Sequence, residues 1–229
     1  MRKIVLSNDE YYHVYNRGVE KRSITEDSDD VARFMQSIND FNSADPIGSI
    51  YEKHYHDNHN EGEVVEKANK DKLFGNGVSK KLVEVVAYCL NPNHFHFLLR
   101  QTEDDGIAQF MQRLGGGYTK YFNHKHKRVG PLFQGPFKAI HVENDEYLLH
   151  LSAYINLNNK VHHLNEDVMR FHRSSWDEYL GKTENGICSK EVILERFATI
   201  SDYSEYAKSA VSSTIEGREN IELNKFYFE

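Results

Sequence analysis

The sequence predicts an α+β fold built on an antiparallel sheet. Three observations carry that reading: the alternation of histidine and phenylalanine in His94–Phe97, the three- and four-residue spacing of apolar side chains in separate segments, and the Pro- and Gly-bearing turns between them. The first strand falls at 10–16, EYYHVYN, whose aromatic and β-branched residues suit a half-buried pleated surface. A basic turn, Arg17 to Arg22, follows it. Ser28, Asp29 and Asp30 supply a helix start, and Val31, Phe34, Met35, Ile38 and Phe41 line one face of that helix until Pro46 and Gly48 end it.

The stretch 51–72 is polar, shows neither period, and reads as an inserted surface excursion. It carries His54, His56 and His59, but no apolar residues beside them to fix a ligand geometry. Leu82–Leu90 reads as a strand, Asn91–Pro92–Asn93 as a turn and His94–Arg100 as the returning strand of a hairpin. A helix from Gly106 to about Asn123 carries Ile107, Phe110, Met111, Leu114, Tyr118, Tyr121 and Phe122 on one flank. Gly115, Gly116 and Gly117 each cost about 1 kcal/mol there, so either the helix breaks or its backbone must approach something closely. A strand near 137–142 leads to Asn144 or Asp145 as cap and to a further helix through Asn158. The order strand, helix, strand, strand, helix, strand, helix is the split βαβ, ferredoxin-like arrangement with an added helix, shared with RNA-recognition modules.

With 229 residues the chain can bury a substantial core. We expect one domain over 1–165 and an accessory helical region over 166–229, which is acidic and polar with short helical patterns near 189–198 and 202–213. Only two cysteines, Cys89 and Cys188, argue against a disulfide scaffold and for a reducing cytoplasm. No apolar run is long enough for a signal peptide or a membrane span.

The formal net charge of −7 hides an uneven distribution. Between Gly106 and Val142 there is no Asp or Glu, while Arg113, Lys120, Lys125, Lys127, Arg128 and Lys138 supply cations among Tyr118, Tyr121, Phe122, Phe133 and Phe137. Cations beside stacking rings suit single-stranded or hairpin nucleic acid, and Arg17, Lys21 and Arg22 add a second basic group.

Strand alternation puts His94 and His96 on one face, with Phe95 and Phe97 on the other, so the two imidazoles converge as in a metal site. On the last helix Leu148, Leu151 and Ile155 form an apolar stripe, whereas Tyr147, Tyr154 and Asn158 share a second face. His150 lies one turn before Tyr154 and is a candidate base.

These segments together resemble the HUH single-tyrosine transposases, in particular their REP-associated branch. The resemblance is carried by YHVYNRG (12–18), VVAYCLNPNHFHFLLR (85–100), GGYTKYFNHKHKRVGPLFQGPFKA (116–139) and YLLHLSAYINLN (147–158), in the family's order. It implies that His94 and His96 ligate a divalent cation, Mg2+ or Mn2+, and that Tyr154 is the nucleophile. Asn158 would then supply an amide-oxygen ligand or orient the substrate. The implied reaction is nicking and strand transfer of hairpin-bearing single-stranded DNA through a 5′-phosphotyrosine, by a homodimer or a monomer.

Two positions depart from the family pattern. Asn159 and Lys160 follow Asn158 where proline and a basic residue are usual, and Pro136 stands where an arginine is common. Two other readings remain open: a noncatalytic hairpin-binding protein of the same fold, and a zinc hydrolase, which would need a third ligand and a general-base carboxylate that the strand itself does not supply.

Overall fold

The computed structural model describes residues 4–45, 80–162, 164, 166–183 and 186–219; the expected insertion at 51–72, with His54, His56 and His59, lies outside them. Five strands form one antiparallel sheet: β1 (Tyr11–Arg17), β2 (Val83–Leu90), β3 (His94–Gln101), β4 (Lys138–His141) and the short β5 (Arg173–Ser174). Their order, β4-β1-β3-β2-β5, is the ferredoxin-like arrangement extended at one edge. The four principal helices are α1 (Ser28–Asp40), α2 (Gly106–Lys125), α3 (Asp145–Asn156) and α4 (Ile200–Glu219). Among the described residues no helix is long and apolar enough to cross a membrane. Both cysteines are free thiols.

β1 and β2 pair with β3 along its two edges and a core covers each of its faces, so its two-residue alternation decides what each face receives. Phe95, Phe97 and Leu99 join Tyr12, Val14, Val85 and Leu90 beneath α1 and α2. Leu98 faces the other way, with Cys89, Leu151 and Ile155 of α3 and Tyr203 and Ala207 of α4. A register shift between Val85 and Ala87 turns Val86 and Ala87 together toward this second core.

The two helices on the first face are tied by a polar cluster at their ends. Asp27 caps α1 by accepting from Asp30 N at 3.0 Å, and the buried Asp30 carboxylate receives Lys125 Nζ at 3.0 Å and His126 Nε2 at 2.9 Å. On the second face, Asn144 caps α3 by accepting from Tyr147 N. The chain after 166 adds β5 to the sheet edge and lays α4 on α3, where Asn156 Nδ2 donates to Tyr203 Oη at 2.8 Å.

The glycine triplet does not break α2, which runs unbroken from Gly106 to Lys125 because Leu114 and Tyr118 on either side are buried in the first core. Tertiary burial there outweighs the propensity penalty. Gly117 is required by packing, since a Cβ would fall 2.3 Å from the Phe41 ring. At Gly115 and Gly116 a Cβ would meet nothing within 4 Å. Gly115→Ala and Gly116→Ala should therefore each raise stability by about 0.5–1 kcal/mol, and Gly117→Ala should lower it by about 1–3 kcal/mol, as read by urea unfolding.

Candidate functional site

The second face of β3 carries His96 opposite Tyr15 of β1, with His13 two residues along the same strand face. His96 Nδ1 and His13 Nε2 are 2.8 Å apart, and the His13 ring is only 2% exposed. With the proton on His96 Nδ1 and donated to His13, His96 keeps its Nε2 lone pair for another partner.

His94 is fixed from two sides. Its Nδ1 lies 2.6 Å from Asn93 Oδ1, an acceptor, so that nitrogen carries the proton; its Nε2 accepts from Asn91 Nδ2 at 2.8 Å. The Asn91 amide is oriented in turn by His172, whose Nδ1 donates to Asn91 Oδ1 at 2.9 Å. The same Asn91 Nδ2 donates to Asn158 Oδ1 at 2.6 Å, while the buried Asn158 Nδ2 has no hydrogen-bond partner.

Past α3 the chain turns at Leu157 into a one-turn helix, Asn158–Val161, and delivers His162 to the same place. The His162 ring centroid is 4.8 Å from that of His94, and nitrogen atoms of His94, His96 and His162 all lie within 4.8 Å of one another. Three converging imidazoles, with an amide oxygen in the same buried network, are a donor set that fits a divalent cation once it takes the place of the Asn91 N–H at His94 Nε2. Burial keeps His94, His96 and the backing His13 neutral: it lowers His13 to about 3 and holds His96 well below the usual histidine range, while burial and the neighbouring His162 lower His94 to about 3.

Tyr154 comes from α3 into this group within one chain. Its ring meets His96 edge-on with centroids 5.8 Å apart and lies 6.4 Å from His13. It is 1% exposed and lines a cavity of about 460 Å³ together with His94, His96, His162 and Tyr15. Arg17, Lys21 and Lys138 line the same cavity, and among the described residues no carboxylate does. Arg17 Nε donates to Gln134 Oε1 at 3.0 Å, and Lys138 Nζ sits 5.8 Å from the centre of the Tyr15 ring.

The remaining expected cations do not line this cavity. Lys125 Nζ is held by Asp27 at 2.6 Å and by Asp30; Arg113 Nη1 donates to Ser43 O at 2.5 Å, and Arg128 Nη1 to Asn123 Oδ1 at 2.7 Å. Arg22, Lys120 and Lys127 are exposed. His150 turns to α4, with Nε2 3.2 Å from Thr214 Oγ1, so it does not serve as a base for Tyr154. Tyr147 packs on the second core, and Tyr118, whose Oη donates to Ile24 O at 2.6 Å, is a core residue.

Sequence reasoning did not single out His13, Tyr15, Asn91, His162 or His172. His162 stands four residues beyond Asn158 and eight beyond Tyr154, but the turn at Leu157 breaks that period, so spacing alone does not place it. His13 and Tyr15 alternate with the core residues Tyr12 and Val14, which marks their shared face.

Residues 49–158 match the family model described as Transposase IS200 like. A solved structure of a REP-associated tyrosine transposase bound to a REP hairpin is similar at 13% identity, with 82% of this chain and 88% of that chain covered and a TM-score of 0.48. No curated protein matches the chain.

The neutral imidazoles set a pH dependence. An unfolded chain protonates them near 6.5, whereas the native state resists protonation until about 3 for His13 and His94, so acidification favours unfolding. In chelator-treated protein, stability should be full above about pH 6.5 and fall steadily as the pH drops toward 4, by about 2 kcal/mol at pH 5 for His13 alone. Thermal unfolding across this range checks the slope, which His13→Gln should make shallower.

Proposed function

We propose, on the premise that residues 49–158 make this chain a member of the IS200-like transposase family, that the protein nicks and rejoins single-stranded DNA at hairpins through Tyr154. The observation that carries this reading is that one chain brings the Tyr154 phenol edge-on to His96, in the cavity that also holds His94 and His162. Residues 1–165 would form the catalytic unit, with the chain from 166 onward bracing it.

His94, His96 and His162 would hold a divalent cation, Mg2+ or Mn2+. An amide oxygen has two lone pairs, so Asn158 Oδ1 can accept from Asn91 and still offer a fourth donor. A cation held there supplies charge neutralisation at a nonbridging phosphate oxygen and favours the phenolate. Arg17, Lys21 and Lys138 would bind the flanking phosphates.

Tyr154 Oη attacks the phosphorus of a DNA phosphodiester, its proton passing to water. An O–P bond forms to tyrosine, the P–O3′ bond breaks, and the departing 3′-oxygen takes up a proton. The products are a 5′-phosphotyrosyl protein and a free 3′-hydroxyl. Attack by a 3′-hydroxyl on the phosphotyrosine reverses the step and rejoins strands without ATP, because the ester retains the energy of the broken bond. The rival hydrolase reading finds its third imidazole in His162, but among the described residues no carboxylate lines the cavity to act as its base.

Incubating the full chain with hairpin-bearing single-stranded DNA and Mn2+ should give a denaturation-resistant protein–DNA adduct, lost in Tyr154→Phe and on chelation. His162→Ala should raise the Mn2+ concentration needed for half-maximal adduct by about 10–100-fold. An adduct that persists in Tyr154→Phe and disappears in Tyr15→Phe would move the nucleophile to the second phenol. Tight hairpin binding without any adduct, in folded and metal-loaded protein, would favour the noncatalytic binder.

A further inference from the structure

A second cavity, about 760 Å³, adjoins the first and shares Asn16 and Gln134 with it. One wall is the α2 surface at Gly115 and Gly116; Phe95, Phe133 and Phe137 supply aromatic surface, and Gln112 and Thr119 are polar members of the lining. We propose that this cavity receives an unpaired nucleobase of the DNA strand whose phosphate enters the histidine–tyrosine cavity, its ring lying against bare helix backbone at Gly115–Gly116. The proposal rests on the DNA-processing function above.

The glycines are the first reason. Gly117 is accounted for by Phe41, but among the described residues nothing in the packing needs Gly115 or Gly116, where a Cβ would meet no described atom within 4 Å. Both nevertheless stand inside a helix that alanine would favour, and both line the cavity. Without side chains that strip admits a flat ring at backbone distance, and the neighbouring phenylalanines offer apolar surface for it.

Charge and continuity identify the occupant. Among the described residues no carboxylate lines either cavity, so an anionic strand can pass from one to the other without like-charge repulsion at that lining. The shared partition is pinned: Asn16 Nδ2 donates to Gly135 O at 3.1 Å, and Gln134 Oε1 accepts from Arg17 Nε at 3.0 Å. A phosphate beside Arg17 and a base beyond Gln134 would therefore be held at a fixed separation, which selects where along the strand the reaction falls. Gln112 and Thr119 offer both donors and acceptors to a base edge.

The test compares one hairpin with and without single-stranded flanks, bound by the full chain in chelator so that no strand is cut. Gly116→Leu should weaken binding of the flanked hairpin by about tenfold and leave the unflanked hairpin unaffected. A 2-aminopurine in the flank should be quenched by the wild-type protein and not by the variant. Gly116→Ala, which favours the helix, serves where leucine disturbs folding; it should melt higher than wild type yet bind the flanked hairpin less well. Unchanged affinity, or equal loss on both DNAs, overturns the proposal. A wild-type dimer that Gly116→Leu converts to monomer overturns it too, by showing that a second copy of the chain covers the cavity. Adduct formation by wild-type protein in Mn2+ is read separately and reports only on the underlying function.

Discussion

The alternation of phenylalanine and histidine along a central strand is the constraint from which the rest of the architecture follows. β3 is paired on both sides, so its register with β1 and β2 cannot drift without exposing one set of rings and burying the other in the wrong core. The phenylalanines fix α1 and α2 above one face, and the imidazoles are left facing α3, which brings Tyr154. The proposed chemistry is thereby mounted on a central strand and the helix packed against it.

Polar groups this deep in a protein are costly unless paired, and here most of them are linked in a directed chain, with Asn158 Nδ2 left over. His172 orients Asn91, Asn91 bridges Asn158 and His94, Asn93 fixes the His94 tautomer, and His13 backs His96. Each link removes a rotational choice from an imidazole or amide before any ligand arrives. Residues that touch no substrate can therefore govern ligand geometry, and they come from strands and turns far apart in sequence, as with the 83 residues between His13 and His96.

Much of this was legible from side-chain periodicity. The strand and helix order, the opposed faces of His94–Phe97 and the Asn144 cap all follow from spacing, because each is a local property. Long-range pairing was not. Tyr15 meets His96 only through the β1–β3 register, and His162 arrives through a turn at Leu157 that ends the helical period on which Tyr154 and Asn158 were placed. Charge runs proved ambiguous for the same reason: Lys125 looks free in sequence, yet it neutralises carboxylates at the start of α1, whereas Arg17 and Lys21 from one turn and the distant Lys138 gather around one cavity. The glycine triplet combined two causes that one-dimensional reading could not separate, a tight helix contact at Gly117 and open space at its two neighbours.

The contact between α3 and the end of the chain has a consequence for how the phenol is held. Tyr203 takes a hydrogen bond from Asn156, and Ser175 Oγ grips the same amide from the other side at 2.5 Å. Neither Tyr203 nor Ser175 lines the cavity, yet together they clamp the helix just two residues past Tyr154. The chain from 166 onward thus works as a buttress: none of its described residues lines the cavity, but a loosened bolt there would shift the reacting oxygen as surely as a change beside it.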